Sequence, residues 1–194
     1  LNTTSAELYT CTDATTDSNV WYNVGAGTGD VQPWGFPGTI SGYVAGGETS
    51  TLINVIEKFS LTSDANATDV GDLTSARQPA GGQSSSTHGY VSGGSPNTDV
   101  IDKFTFVSDA DATDVGNLTV ARGVGAGQSS STHGYVSGGF TPIVNTIDKF
   151  SFTTDGNATD VGDLTVSRKW IAGQNSTTHG YVSGGQNSTT YAGS

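Results

Sequence analysis

The segment His88-Gly-Tyr-Val-Ser-Gly-Gly94 decides the fold, because the chain repeats it. Identical copies stand at His133–Gly139 and His179–Gly185, and a related copy stands at Ser41–Gly47. The four Gly-Tyr pairs begin at residues 42, 89, 134 and 180, so neighbouring units are 47, 45 and 46 residues apart. A fixed period of this size is typical of repeat proteins. The chain therefore holds three full units and the beginning of a fourth.

Each unit carries further repeated stretches. An Ile-(Glu/Asp)-Lys-Phe run is followed two positions on by a large apolar residue: Ile56–Phe59 with Leu61, Ile101–Phe104 with Phe106, and Ile147–Phe150 with Phe152. An Asp-rich stretch and a single arginine come next, at Asp64–Leu73 and Arg77, Asp109–Leu118 and Arg122, and Asp155–Leu164 and Arg168. Alternating apolar and polar residues indicate strands. Each unit is predicted to contain four: a (Gly-Gln-Ser-Ser-Ser-Thr), b (Gly-Tyr-Val-Ser-Gly), c (Val-Ile-Glu-Lys-Phe-Ser-Leu) and d (Ala-Thr-Asp-Val-Gly-Asp-Leu).

Strand b ending in Gly-Gly, an apolar strand c, a Gly-Asp-Leu turn and an arginine before the next strand a resemble a kelch blade. The position where kelch blades usually carry a tryptophan is alanine in all three units: Ala67, Ala112 and Ala158. The amino-acid sequence of the repeat instead resembles that of kelch-like proteins of tailed phages of marine cyanobacteria. This resemblance implies an all-β fold of kelch-like β-propeller blades, each a four-stranded antiparallel repeat of about 46 residues.

The domain prediction divides the chain at residue 40. Residues 41–194 form the repeats, as units 41–87, 88–132 and 133–178 and the partial unit 179–194. Residues 1–40 are predicted to be a hairpin or attachment module and a linker, with strands at Glu7–Thr12 and Asn19–Val24 that resemble the hairpins of phage tail-fibre proteins. A propeller typically needs about four to eight blades. We therefore expect the chain to be part of a longer protein or to oligomerise.

Composition excludes several function classes. Seven Lys and Arg against 18 Asp and Glu give a net charge of −11, which repels phosphate backbones and anionic lipid surfaces. Nucleic acid and membrane insertion are therefore not expected. The single cysteine, Cys11, excludes an intrachain disulfide.

Catalysis is not predicted, and no residue is assigned a catalytic role. Ser, His and Asp occur in every unit, but a catalytic site is assembled once, whereas these residues recur in identical turns. The three histidines, His88, His133 and His179, are predicted to serve turn structure. A propeller enzyme remains an unfavoured alternative, because no unique cluster of His, Cys, Tyr or acidic residues stands out.

No cofactor is expected except calcium. Oxygen-bearing side chains alternate along the Asp-rich stretches, as they do in calcium loops. Asp and Asn also favour turns through bonds to their own backbone, so both interpretations stay open. The candidate Ca²⁺ ligands are Asp64, Asn66, Asp69, Asp109, Asp111, Asp114, Asp155, Asn157 and Asp160.

Two segments vary between units: one follows the Gly-Gly pair and the other follows the arginine. In an up-and-down blade both fall at one end of the strands, where loops on a rigid scaffold often carry recognition. Unconstrained drift of these loops is the alternative. The predicted binding-face residues are Glu48, Leu52, Gln78, Asn97, Phe140, Pro142, Lys169 and Trp170.

The phage resemblance implies a virion structural protein, in the fibre, spike or another appendage, that presents a host- or partner-binding face. Its expected location is the virion, an extracellular particle. Its expected partners are copies of itself, other virion proteins, and a host surface glycan or protein. The alternative is a subunit of a self-assembling extracellular filament or surface layer.

Overall fold

The computed structural model describes residues 9–13, 20–23, 40–79, 81–123, 125–176 and 178–187. The chain divides into two compact units, Leu1–Phe36 and Pro37–Ser194. The first contains strands β1 (Tyr9–Asp13) and β2 (Val20–Asn23), which pair antiparallel. The predicted hairpin therefore forms, and nearly all of its predicted linker lies outside the described residues.

The second compact unit is built from short antiparallel strands that pair with their neighbours along the chain. Sheet 1 has three strands, sheets 2 and 3 have four each, and sheet 4 has two. Sheet 1 comprises β3 (Ser41–Glu48), β4 (Leu52–Ser60) and β5 (Thr68–Asp72). Sheet 2 comprises β6 (Gly81–Ser84), β7 (His88–Gly94), β8 (Thr98–Thr105) and β9 (Thr113–Asn117). Sheet 3 comprises β10 (Ala126–Ser129), β11 (His133–Gly139), β12 (Val144–Ser151) and β13 (Thr159–Asp163), and sheet 4 comprises β14 (Ala172–Asn175) and β15 (Gly180–Ser183).

The all-β class and the order a-b-c-d within sheets 2 and 3 are confirmed. Strand a was predicted too long, because it ends at Ser84 rather than Thr87. Ser85 begins a turn instead: its N–H donates to the His88 carbonyl at 2.9 Å, and its hydroxyl accepts from the His88 N–H at 3.0 Å. Serine often forms such local bonds in competition with strand pairing.

The Gly-Tyr and Lys-Phe pairs recur because glycine and phenylalanine face each other across strands b and c. Gly89 lies opposite Phe104, and a Cβ atom on Gly89 would stand 2.3 Å from the ring atom Cζ. Gly42 with Phe59 and Gly134 with Phe150 repeat this arrangement. The phenylalanine ring thus covers the glycine backbone and leaves no room for a side chain.

The core lies between consecutive sheets. Tyr90 in sheet 2 stacks on Phe152 in sheet 3, with ring centroids 4.8 Å apart, and Tyr43 in sheet 1 stacks on Phe106 in sheet 2 at the same distance. Ala158 is buried in the cluster around Tyr90, and its N–H donates to the Asn117 carbonyl of sheet 2 at 2.8 Å. Ala112 makes the equivalent bond to the Asp72 carbonyl of sheet 1 at 2.8 Å, so the repeated alanine belongs to an inter-sheet contact in the second and third units.

A buried ion pair also joins consecutive sheets. Arg77 Nη2 lies 2.9 Å from Asp102 Oδ2, and the two side chains are 1% and 0% exposed. Thr74, which follows the last strand of sheet 1, donates its N–H to Asp102 at 3.0 Å and its hydroxyl at 2.8 Å. Arg122, Asp148 and Thr119 repeat the arrangement between sheets 2 and 3. The carboxylate of Asp102 thus binds a threonine and an arginine of the segment that joins sheets 1 and 2.

We expect Gly89→Ala to destabilise the fold by about 1 to 3 kcal/mol, the usual cost of overpacking. The added methyl group would collide with the Phe104 ring. Gly82→Ala is the matched control, because a Cβ atom there meets nothing within 4 Å. Urea unfolding measures both variants, and equal losses would contradict the packing argument.

We expect Asp102→Asn to destabilise the fold by about 3 to 5 kcal/mol, because it leaves the Arg77 guanidinium buried without its charge partner. Asp99→Asn on the same strand is the control, since no described bond involves the Asp99 side chain, and its effect should stay within about 0.5 kcal/mol. Chemical denaturation of both proteins tests this. A small loss in Asp102→Asn would show that the pair is dispensable.

Candidate functional site

The variable segment that follows each arginine meets the variable segment that follows the Gly-Gly pair of the next unit. The residue after the arginine forms an antiparallel bridge with a residue after the Gly-Gly pair, as in Gln78 with Ser95, Gly123 with Phe140, and Lys169 with Gln186. The Gly-Gly pair makes this possible, because Gly93 and Gly94 have φ angles of +62° and +148° that favour glycine. After the Gly-Gly pair, the chain therefore turns away from strand b and lies beside the segment that leads into strand a.

Side chains then link these loops from unit to unit. Gln78 Nε2 donates to the carboxylate of Glu48, and Asn97 Nδ2 donates to the carbonyl of Thr141. The first bond joins the loops of sheets 1 and 2, and the second joins those of sheets 2 and 3. Four residues predicted for the binding face, Glu48, Gln78, Asn97 and Phe140, therefore lie in one continuous row of loops.

A cation–aromatic cluster stands in this row. The Lys169 ammonium lies 3.9 Å from the centroid of the Phe140 ring and 4.1 Å from that of the Trp170 ring. Lys169 is only 4% exposed, whereas Trp170 is 52% exposed. Trp170 also has a φ angle of +55°, a conformation that costs a bulky residue free energy. The buried cation thus supports an aromatic ring that the backbone directs into solvent.

Two predicted binding-face residues take no described part in these links. Leu52 is half-buried at the start of β4, opposite Glu48. Pro142 is exposed beside Thr141, whose φ angle is +63°. Lys169 and Trp170 stand out in the sequence because the equivalent positions of the other units hold different residues. Composition gave no sign that Lys169 is buried between two rings.

The three histidines occupy equivalent turns. In each, a threonine hydroxyl and the following histidine Nδ1 are 2.8 Å apart: Thr87 with His88, Thr132 with His133, and Thr178 with His179. Burial lowers the pKa of His88, as does the nearby charge of Lys103. Within the described ranges, no group of three or more His, Cys, Asp and Glu side chains is arranged to hold a metal ion.

The Asp-rich turns carry bonds between sheets. Asp109 pairs with Lys58 of sheet 1 at 2.5 Å, and Asp155 pairs with Lys103 of sheet 2 at 2.7 Å. Asp111 accepts the Asp72 N–H, and Asn157 accepts the Asn117 N–H, both at 3.0 Å. Three further candidates accept the N–H two residues on: Asp69, Asp114 and Asp160. Asp64 and Asn66, in sheet 1, are exposed.

We expect millimolar Ca²⁺ to leave the melting temperature unchanged relative to excess chelator, because seven of the nine candidate side chains already accept a protein hydrogen bond. A ligand that binds only the folded state raises its stability by mass action. Differential scanning calorimetry with Mg²⁺ at equal ionic strength is the control. A rise specific to Ca²⁺ would instead establish a calcium site in these turns.

No protein-family model matches the chain, and no curated protein sequence is significantly similar to it. No helix among the described residues has the length and apolar character needed to cross a membrane.

Proposed function

We propose that this chain is a virion structural protein, a fibre, spike or other appendage component, whose kelch-like β-propeller blades present a host- or partner-binding face. The amino-acid sequence of the repeat resembles that of structural proteins of cyanobacterial phages, and this resemblance supports the virion assignment. The observation that carries the binding face is the cluster of Phe140, Lys169 and Trp170 at the variable end of the sheets.

The propeller is supported by the sameness of the contacts between sheets. Sheets 2 and 3 have the blade order a-b-c-d, and each packs on its neighbour through the same tyrosine, phenylalanine, threonine and arginine positions. Because the same contacts join each pair of neighbouring units, each unit is rotated by the same angle relative to the one before it. Repetition of one rotation about an axis produces a ring of blades where the rotations sum to a full turn.

The chemistry of the cluster suits a partner with both apolar and polar surface. Trp170 offers a half-exposed ring with an indole N–H, and aromatic residues of this kind are favoured at interfaces. Lys169 holds the ring by a cation–π contact worth about 0.5 to 2 kcal/mol. Bonded loops on a rigid sheet lose little conformational freedom on binding, which favours affinity. A host surface glycan meets these requirements.

We expect the double variant Trp170→Ala with Phe140→Ala to lose at least tenfold in affinity for its receptor, because the exposed aromatic surface disappears. Binding of the labelled protein to marine cyanobacterial cells and to their purified lipopolysaccharide measures this. The control is the triple variant His88→Ala, His133→Ala, His179→Ala, which alters the opposite turns. Loss of binding in the control alone would place the binding face at the histidine end.

A further inference from the structure

The repeat accounts for every lysine and arginine of the chain except one. Each unit places one lysine in strand c and one arginine before the next strand a: Lys58 and Arg77, Lys103 and Arg122, and Lys149 and Arg168. Lys169 is the exception, because Gln78 and Gly123 hold the equivalent position after the other two arginines. In a chain with a net charge of −11, Lys169 is therefore a positive charge added to one variable segment.

Lys169 also faces a different partner from its counterpart Gln78. Glu48 and Phe140 each follow the Gly-Gly pair of their unit, so they occupy equivalent positions. Gln78 donates to the carboxylate of Glu48, whereas the Lys169 ammonium lies over the Phe140 ring. No carboxylate forms an ion pair with Lys169 in the described part of the chain. The contact that holds a carboxylate in the first unit thus holds a cation and an aromatic ring in the third.

The segment between sheets 3 and 4 turns Trp170 outward through its own backbone. In the segment between sheets 1 and 2, Pro79 packs on Gly46, where a Cβ atom would stand 3.2 Å from Pro79 Cδ. Ile171 takes this place on Gly138, with Cδ1 at 2.8 Å, although it stands one position further from its arginine than Pro79 does. Trp170 is the residue left outside, with a φ angle of +55°.

Backbone strain is concentrated around this cluster. Among the described residues, two residues other than glycine have positive φ angles, and they are Thr141 and Trp170. Thr141 directly follows Phe140, and Trp170 directly follows Lys169. Strained residues of this kind cluster where proteins hold ligands. The strain therefore favours a ligand site at Phe140, Lys169 and Trp170.

The position of the ammonium gives this site a positive potential. Lys169 Nζ lies 4.1 Å from the centroid of the Trp170 ring, which is half-exposed. Lys169 itself is buried, and dissolved ions screen a buried charge less than an exposed one. The rest of the acidic surface repels anions. An anion beside the exposed part of the Trp170 ring is therefore attracted by a charge that no described carboxylate neutralises.

We propose that Phe140, Lys169 and Trp170 bind an acidic sugar of a cell-surface polysaccharide, a sugar ring that carries a carboxylate or a sulfate group. This inference rests on the proposed function, because it names the ligand class of the same site. The apolar face of the sugar packs on the Trp170 ring, and Lys169 attracts the acid group. A neutral sugar keeps the packing and loses the attraction.

Removal of the acid groups from one polysaccharide tests the proposal. Biolayer interferometry measures binding of the full chain to polysaccharide split from marine cyanobacterial lipopolysaccharide. The same polysaccharide is then reduced, which converts carboxylates to alcohols, or desulfated. We expect one treatment to weaken binding about tenfold, since opposite charges separated by an aromatic ring still attract each other where water is partly excluded. The effective treatment identifies the acid group.

The ratio of affinities for the untreated and the treated polysaccharide measures the contribution of the charge. Lys169→Met keeps the length of the side chain without its charge and should reduce this ratio from about ten to about one, because the attraction disappears. Lys169→Arg should preserve the ratio. Lys149→Met is the matched control: it removes the same charge from strand c of sheet 3, two residues before the partner of His133, and should also preserve the ratio.

Circular dichroism establishes that each variant is folded. Equal affinity of the wild-type chain for all three polysaccharides would overturn this inference and leave the proposed binding face intact. An unchanged ratio in Lys169→Met would also overturn it, because Lys169 would then serve only to hold Trp170. The same loss of ratio in Lys149→Met would replace the site by an effect of net charge. No binding to any of the polysaccharides would refute the proposed glycan-binding function together with this inference.

Discussion

The structure depends on one buried carboxylate in each inter-sheet contact. Asp102 and Asp148 are fully buried, and an isolated charge in that position would cost several kcal/mol. Each is stable only because an arginine and both polar groups of a threonine surround it. Both partners lie in the segment that joins the two sheets, so the carboxylate is satisfied only when its strand is in register with that segment. The need to pair the buried carboxylate thereby fixes how neighbouring sheets stack. The aromatic core supplies most of the attraction between those sheets.

The same constraint explains why a glycine pair, an arginine and an acidic residue recur at equivalent positions of the repeat. Arg77 needs space beside strand b, and Gly94 provides it, since a Cβ atom there would stand 2.8 Å from Arg77 Cδ. The Gly94 N–H in turn donates at 2.9 Å to the carbonyl of Arg122, in the segment that leads to sheet 3. The positions of the Gly-Gly pair, the arginine and the buried acidic residue therefore depend on one another. A change at one of these positions would leave the other two without their partners.

The sequence predicted most of the strand architecture, because period-two alternation and the repeat itself are local signals. Strands b, c and d and their order were accessible in this way. The partner of Arg77 was not, since Asp102 lies 25 residues further on and resembles any other strand aspartate. Similarly, the spacing of the Asp-rich turns does not reveal that Asp109 pairs with Lys58 of the neighbouring sheet. Contacts between units are long-range, and no single unit encodes them visibly.

The ion pairs between sheets fall into two kinds, of which only one is sensitive to salt. Lys58 with Asp109 and Lys103 with Asp155 lie at the surface, with carboxylates that are 58% and 51% exposed. Dissolved ions screen such pairs, since the Debye length falls from about 8 Å at physiological ionic strength to about 3 Å at 1 M. The pairs of Arg77 and Arg122 are shielded by the protein itself and keep their strength. Brine also weakens the mutual repulsion of a chain with a net charge of −11. The stack of sheets is thus expected to tolerate high salt, where its surface attractions fade together with its surface repulsions and its interior links persist.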